Sequence, residues 1–290
     1  MKILLFSRAT IAHTASDVEK LLSLVEQYGF DYAVNSEMAS LIESLTQRRV
    51  EPERIYEKLD AELCHEAVMV SCGGDGTLLE AVHRLGKQTI PVAGINFGHL
   101  GFLTSATRDN VESFFADLAE GKYSIQRRTM LSIEGVEPEP LTALNEVAVQ
   151  RLEASMLKVR ARVNSQTVAR YNGDGLIIAT PTGSTAYSLS AGGPIVAPDC
   201  GCFLLTPLAP HNFGMRSVVV PDTATIELEI DARWAGRALL SVDNRTLELG
   251  AEQRLTVRRS EQEILLVVPH NISFYETLHS KMMWDVDVRN

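Results

Sequence analysis

The chain has 290 residues, 45% of them hydrophobic and 22% charged, the balance of a folded protein long enough for two domains, and this excludes an intrinsically disordered chain. Thirty-seven acidic against 27 basic residues give a formal charge of -10, which repels nucleic acid and anionic membrane surfaces, so any anionic ligand has to be captured locally. No apolar run reaches the roughly 18 residues of a membrane span, and Ile3 to Phe6 is too short for a signal-peptide core, so a cytoplasmic protein is expected.

In chain order, short apolar strands first alternate with helical patterns. Ile3 to Phe6 reads as a strand and Ser16 to Tyr28 as a helix. The apolar run Ala67 to Val70 leads into Cys72-Gly73-Gly74-Asp75-Gly76-Thr77, and Leu78, Leu79, Val82 and Leu85 then recur at helical spacing. Ile90 to Ile95 reads as a further strand and Asp109 to Leu118 as a helix closed by Gly121. This is βαβ periodicity, which predicts a parallel sheet with the glycine-aspartate turn at the carboxyl end of a strand, where open α/β sheets bind ligands. Three glycines around one acid leave the backbone free for positive φ and for close approach of amide groups to a phosphate, and the helix that follows turns its positive end to the same anion. The plainer reading of such a turn is a tight strand-to-helix connection.

Near residue 125 the pattern changes to period two. Leu157, Val159, Ala161 and Val163 alternate with Lys158, Arg160 and Arg162, and Ile226, Leu228 and Ile230 alternate with Glu227, Glu229 and Asp231. With Leu247 to Leu249, Leu255 to Val257 and Ile264 to Val268 these half-buried antiparallel strands predict a β-sandwich. The basic stripe Lys158, Arg160, Arg162 reads as the solvated face of a strand. Leu278, Met282 and Met283 lie at helical spacing in the final segment. The expected organisation is an α/β domain with a parallel sheet over 1–125 and a mostly antiparallel β-sandwich over 126–274. A segment 275–290 then packs back on the first domain or on a neighbouring subunit.

The second chemical feature is the run from Asn172 to Pro194. After the short strand Leu176 to Ala179, residues Thr180 to Ser190 carry six Ser or Thr hydroxyls and Tyr187. A surface loop of small residues is the plain reading. Apolar residues on one side and Ala191 to Val196 on the other predict instead a packed tract that presents its hydroxyls to a ligand. Ser71 to His83 contains no Lys or Arg, and neither does Tyr171 to Met215. Asp75, Glu146 and Asp174 would repel a triphosphate unless backbone amides, cations from elsewhere and a divalent metal, magnesium by preference, offset the charge.

Cys64, Cys72, Cys200 and Cys202 are too few and too unevenly spaced for a disulfide framework and read as reduced, and no Cys/His pattern for zinc occurs, so no residue is assigned as a metal ligand. His99 lies in a glycine-bearing loop and reads as structural. The Walker lysine pattern and the Gly-x-Gly-x-x-Gly fingerprint are both absent, which excludes a P-loop ATPase and a Rossmann oxidoreductase.

The ordered series Gly73-Gly-Asp-Gly-Thr77, Gly94-Ile-Asn-Phe-Gly-His-Leu-Gly-Phe-Leu103, Asn145-Glu146, Gly173-Asp-Gly-Leu176, Thr180-Pro-Thr-Gly-Ser-Thr-Ala-Tyr187 and Gly192-Gly-Pro194 resembles the NAD kinases. The first motif is shared with lipid kinases; the later ones make the likeness specific. The resemblance implies transfer of the terminal phosphoryl group of ATP or polyphosphate to the 2′-hydroxyl of the adenosine ribose of NAD, giving NADP, with a divalent metal.

It makes Asp75 the base or orienting group, beside Gly74, Gly76 and Thr77. It sets Phe102 against an adenine and Asn145 and Glu146 at the adenosine portion of NAD. Thr185, Ala186, Tyr187, Ser188, Leu189 and Ser190 then line the dinucleotide pocket, with Asp174 near the nicotinamide. It implies a homo-oligomer, a dimer or tetramer. Asp243-Asn-Arg245 stands where many members have Asp-Gly-Gln and receives no role, and the donor stays open between ATP and polyphosphate. Two other classes share parts of the pattern: a lipid or sphingoid kinase through the glycine-aspartate turn, and a non-catalytic dinucleotide sensor through the binding loops.

Overall fold

The structure is a computed structural model that describes residues 1–9, 13–231, 237–250, 252–270 and 272–284. It divides into two compact units, one formed by residues 1–127 with 264–290 and the other by residues 128–263. The elements, in chain order, are β1 (Lys2–Phe6), α1 (Ala15–Gln27), β2 (Asp31–Asn35), α2 (Ser36–Thr46), β3 (Ile55–Tyr56), β4 (Ala67–Cys72), α3 (Asp75–Leu85), β5 (Pro91–Asn96), β6 (Ala106–Thr107), α4 (Val111–Glu120) and β7 (Tyr123–Glu134). They continue with β8 (Leu141–Ala143), β9 (Glu146–Arg151), β10 (Leu157–Val163), β11 (Gln166–Gly173), β12 (Gly175–Ala179), the short α5 (Tyr187–Ser190), β13 (Cys202–Leu208), β14 (Val218–Pro221), β15 (Ile226–Asp231), β16 (Ala238–Val242), β17 (Arg245–Leu249), β18 (Glu252–Pro269) and α6 (Phe274–Met282).

In the first unit β3, β2, β1, β4 and β5 lie in that order, all parallel. The end of β18 joins β5 at Leu265 and Leu266. That pairing carries the segment from Ile264 onward into the first unit, so the second unit ends at Glu263 rather than at the expected 274. Ile3, Leu5, Val70 and Ile95 build a core with Val18, Leu21 and Val25 of α1 and Phe114 and Phe115 of α4. The alternate residues Leu4 and Met69 are equally buried on the opposite face, as period-two strands covered on both sides require.

The chain leaves β1 toward β2 but leaves β4 toward β5, in the opposite direction along the sheet. The carboxyl ends of these neighbours are therefore a topological switch point, and the glycine-aspartate turn follows β4 there. Ser7, at the end of β1, donates to the Cys72 carbonyl at 3.1 Å. The expected strands and helices of this half are present; β2 and α2 are additional, and Asn35 caps α2 by accepting from the Met38 amide. In the return segment α6 ends at Met282, and residues 285–290 lie outside the described residues.

The second unit is the expected sandwich. One sheet runs β14-β13-β12-β9-β16-β17, and the other carries β11, β10, β15 and the first part of β18. Val147, Val149, Leu176, Ile178, Phe203 and Leu205 of the first pack against Val159, Ala161, Ile226, Leu228, Leu255 and Val257 of the second. Lys158, Arg160 and Arg162 alternate with these buried residues, as expected of a solvated face, and Arg160 pairs with Glu229 at 2.8 Å. The outer face of the first sheet buries Ala148, Ile177, Ala179 and Leu204 under Ala191 and Val196.

Candidate active site

In the first unit the site is built on the start of α3. Gly73 has φ 149, whereas Gly74 has φ -75 and Gly76 stands in the first helical turn, so one glycine of the three, not all of them, uses a conformation that other residues avoid. Gly74 is the N-cap and makes no side-chain hydrogen bond, which leaves Asp75 as the acid of the first turn. Its carboxylate is fixed from outside the helix: Oδ2 accepts from the Phe102 amide at 2.9 Å and Oδ1 from the Leu103 amide at 3.1 Å. The loop that supplies these amides is itself held. Asn96 accepts from the Gly98 amide at 3.0 Å, and Thr104 accepts from the Gly101 amide at 2.6 Å. A Cβ on Gly101 would lie 2.6 Å from Asp75 Cγ, so only glycine lets the loop come this close. Thr77 is buried, Phe102 is half-buried with its ring 6.5 Å from that of Phe274, and His99 is exposed on the same loop.

In the second unit Asn145 and Glu146 stand at the start of β9. Asn145 is 8% exposed; its carbonyl accepts from the Thr180 amide at 2.9 Å. A Cβ on Gly183 would lie 2.5 Å from that carbonyl carbon, so the hydroxyl-rich tract can pass this pair only with glycine there. Glu146 is 9% exposed and its Oε2 has no hydrogen-bond partner. Burial first, and the nearby Asp243 charge second, push its carboxyl up to about 8, against the Tyr187 amide, which favours the charged form.

The tract 180–190 is packed, as expected, but most of its hydroxyls serve the protein itself. Thr182–Thr185 forms a turn of 3-10 helix and Tyr187–Ser190 a single helical turn. Thr180 donates to the Leu144 carbonyl at 2.6 Å, Ser184 exchanges hydrogen bonds with the Val196 backbone, and Ser188, fully buried, bonds to Thr206 at 2.9 Å. The expectation that the tract offers its hydroxyls outward is corrected for these three, because a buried hydroxyl takes the nearest protein partner, backbone for Thr180 and Ser184 and the Thr206 hydroxyl for Ser188. Thr185 donates to Thr182; Ala186 and Leu189 are half-buried, and Ser190 is exposed. Tyr187 donates from its hydroxyl to Gln150 at 3.1 Å, and burial, with the charges of Asp174 and Glu146, raises that hydroxyl.

Asp174, Tyr187, Gln150, Arg151 and Leu208 line a cavity of about 450 Å³. Arg151 Nε meets Asp174 at 2.6 Å, a cation from β9 that offsets one of the acids in the cation-free tract. Sequence reasoning passed over Gln150 and Arg151, which the β9 alternation assigns only to a face. Among the described residues no three His, Cys, Asp or Glu side chains converge as a metal cage.

Residues 4–123 match the ATP-NAD kinase N-terminal domain and residues 144–268 the ATP-NAD kinase C-terminal domain. The NAD kinase of Bacteroides fragilis (strain ATCC 25285) is 35% identical over the full length of both chains. That of Porphyromonas gingivalis (strain ATCC 33277) is 36% identical over 99% of each. Among solved structures, an NAD kinase from Archaeoglobus fulgidus in complex with ATP superposes with a TM-score of 0.76 at 28% identity, over 98% of this chain and 99% of that one. Yeast NADH kinase complexed with NADH shares the fold, with a TM-score of 0.82 at 22% identity over 99% of this chain and 88% of the other. With full-length relatives above 30% identity and both domains matched in order, the chain belongs to the NAD kinase family.

Proposed function

We propose that the protein transfers the terminal phosphoryl group of ATP to the 2′-hydroxyl of the adenosine ribose of NAD, giving NADP. The observation that carries the reading is Asp75: a carboxylate at the first turn of α3, held by two backbone amides of a loop that passes close to it at Gly101. In this reaction the ribose oxygen attacks the terminal phosphorus, the bond to the bridging oxygen breaks, and the ribose proton leaves. Phosphoryl transfer depends mostly on alignment and charge neutralisation. Asp75 accordingly orients the hydroxyl and receives its proton, while the N-terminal end of α3, with the amides of Gly74 and Gly76 and Thr77 beside them, meets the donor phosphates.

Asn145 and Glu146 hold the adenosine portion, and Tyr187 and Asp174, beside the 450 Å³ cavity, hold the nicotinamide end. Phe102 lies against an adenine, and Thr185, Ala186, Leu189 and Ser190 complete the wall; Ser188 supports it from beneath. A magnesium ion bound with the nucleotide would supply the countercharge to the local acids. The protein works in the cytoplasm as a homo-oligomer; among the described residues no helix is long and apolar enough to cross a membrane.

Incubation with γ-labelled ATP, magnesium and either NAD or diacylglycerol tests the assignment. Label in NADP alone is the expected result. Label in the lipid, or tight NAD binding without turnover, would overturn the proposed reaction.

A further inference from the structure

Asp243 opens the two-residue turn between β16 and β17, with φ 51, a conformation that aspartate tolerates. Its carboxylate is the acceptor for three consecutive amides: Leu144 at 2.8 Å on Oδ2, and Asn145 at 2.8 Å and Glu146 at 3.1 Å on Oδ1. Its own amide donates to the Glu146 carbonyl at 3.0 Å. Two residues on, Arg245 donates to the Thr142 carbonyl at 2.8 Å. One hairpin turn therefore fastens the whole connection between β8 and β9, on which Asn145 and Glu146 stand. A buried charge is a costly fastener, tolerable only because three donors surround it. An ordinary strand connection needs none.

We propose that Asp243 is a positioning residue for the dinucleotide: it holds the Leu144 to Glu146 turn so that Asn145 and the unpartnered Glu146 Oε2 meet the nucleoside. The proposal rests on the functional reading above. The clamp also has an electrostatic effect. The groups that act on the Glu146 carboxyl are Asp243, whose charge opposes its ionisation, and the Tyr187 amide, which favours it; the Tyr187 hydroxyl senses Glu146 in turn. With its carboxyl pushed up to about 8, Glu146 is mostly a neutral acid at pH 7, and Oε2 offers the nucleoside a donor rather than a second negative charge.

Asp243→Asn, which preserves shape and one acceptor, separates positioning from mere support. Steady-state kinetics between pH 6 and 9 should show the KM for NAD raised about tenfold, the size expected for lost hydrogen bonds to a charged acceptor, with the KM for ATP within twofold of wild type. The break in kcat/KM for NAD, expected near pH 8 in the wild type, should move to lower pH when the opposing charge is removed. A purely structural loss would reduce the active fraction and leave both the KM ratio and the break in place. An Asp243→Asn protein that folds and keeps the wild-type KM for NAD and the wild-type break overturns the proposal.

If that variant does not fold, wild type against Glu146→Gln decides: a break near pH 8 that vanishes in Glu146→Gln supports the proposal, and no break in the wild type overturns it. A wild-type protein that makes no NADP at all overturns instead the functional reading on which the proposal rests.

Discussion

Asp75 depends on two neighbours that are remote in sequence. The amides of Phe102 and Leu103 hold its carboxylate, and Gly101 leaves the space for them. Gly101→Ala introduces a Cβ 2.6 Å from Asp75 Cγ, so the carboxylate has to move by roughly an ångström. Misplacement on that scale costs on the order of 10²-fold in rate. Steady-state kinetics should show kcat reduced at least tenfold with the KM for NAD little changed, and an unchanged kcat would remove Gly101 from the site.

Glu146 gives a second prediction at this scale, read from stability. Its folded-state carboxyl lies at about 8 against an ordinary value of 4.5, so between those values the folded protein keeps a proton that the unfolded chain has lost. Stability therefore falls as pH rises through that window, by at most about 1.4 kcal/mol per pH unit. Glu146→Gln removes the titration. Thermal melts should show the variant gaining on the wild type from pH 5 to pH 8, by roughly 2–4 °C for each kcal/mol recovered. A constant difference between the two proteins would contradict the buried, un-ionised carboxyl.

At the level of elements, the hydroxyl-rich tract and the start of β9 form one packed assembly. Gly183 passes 2.5 Å from the Asn145 carbonyl carbon, counted from the Cβ it lacks. Gly183→Ala should therefore destabilise the protein by about 1–3 kcal/mol, the usual cost of overpacking, and raise the KM for NAD through displacement of Asn145. Chemical denaturation and kinetics on the same sample check both effects, and a variant with wild-type stability and KM would separate the tract from the pair.

Much of this scale was legible beforehand. The helical spacing of Leu78, Leu79, Val82 and Leu85 located α3, and the alternation from Leu157 to Val163 located β10, because each pattern is produced by one buried face. The clamp by Asp243 was not legible, since its three amides lie about a hundred residues away in sequence and its local pattern matches the family's only in part. The inward turn of Thr180, Ser184 and Ser188 was equally hidden: composition counts hydroxyls, and only packing decides which partners they meet.

For the whole molecule, the sequence carried the order of an α/β half followed by a β half, whereas the switch point follows from the strand order β5-β4-β1-β2. The crossing at Ile264, where β18 joins the parallel sheet beside β5, was missed because an apolar run such as Ile264 to Val268 suits a strand in either unit. The net charge of -10 means that the molecule as a whole does not attract a triphosphate, so the countercharge for one has to be supplied locally.

The most direct measurement is the product of the purified protein given NAD and magnesium-ATP, with the phosphate position read by phosphorus NMR, for the wild type and for Asp75→Asn. The account predicts NADP phosphorylated on the adenosine 2′-oxygen, and formation at least 10²-fold slower in Asp75→Asn with NAD binding retained. Phosphate at another position, or an Asp75→Asn protein working at the wild-type rate, would contradict it.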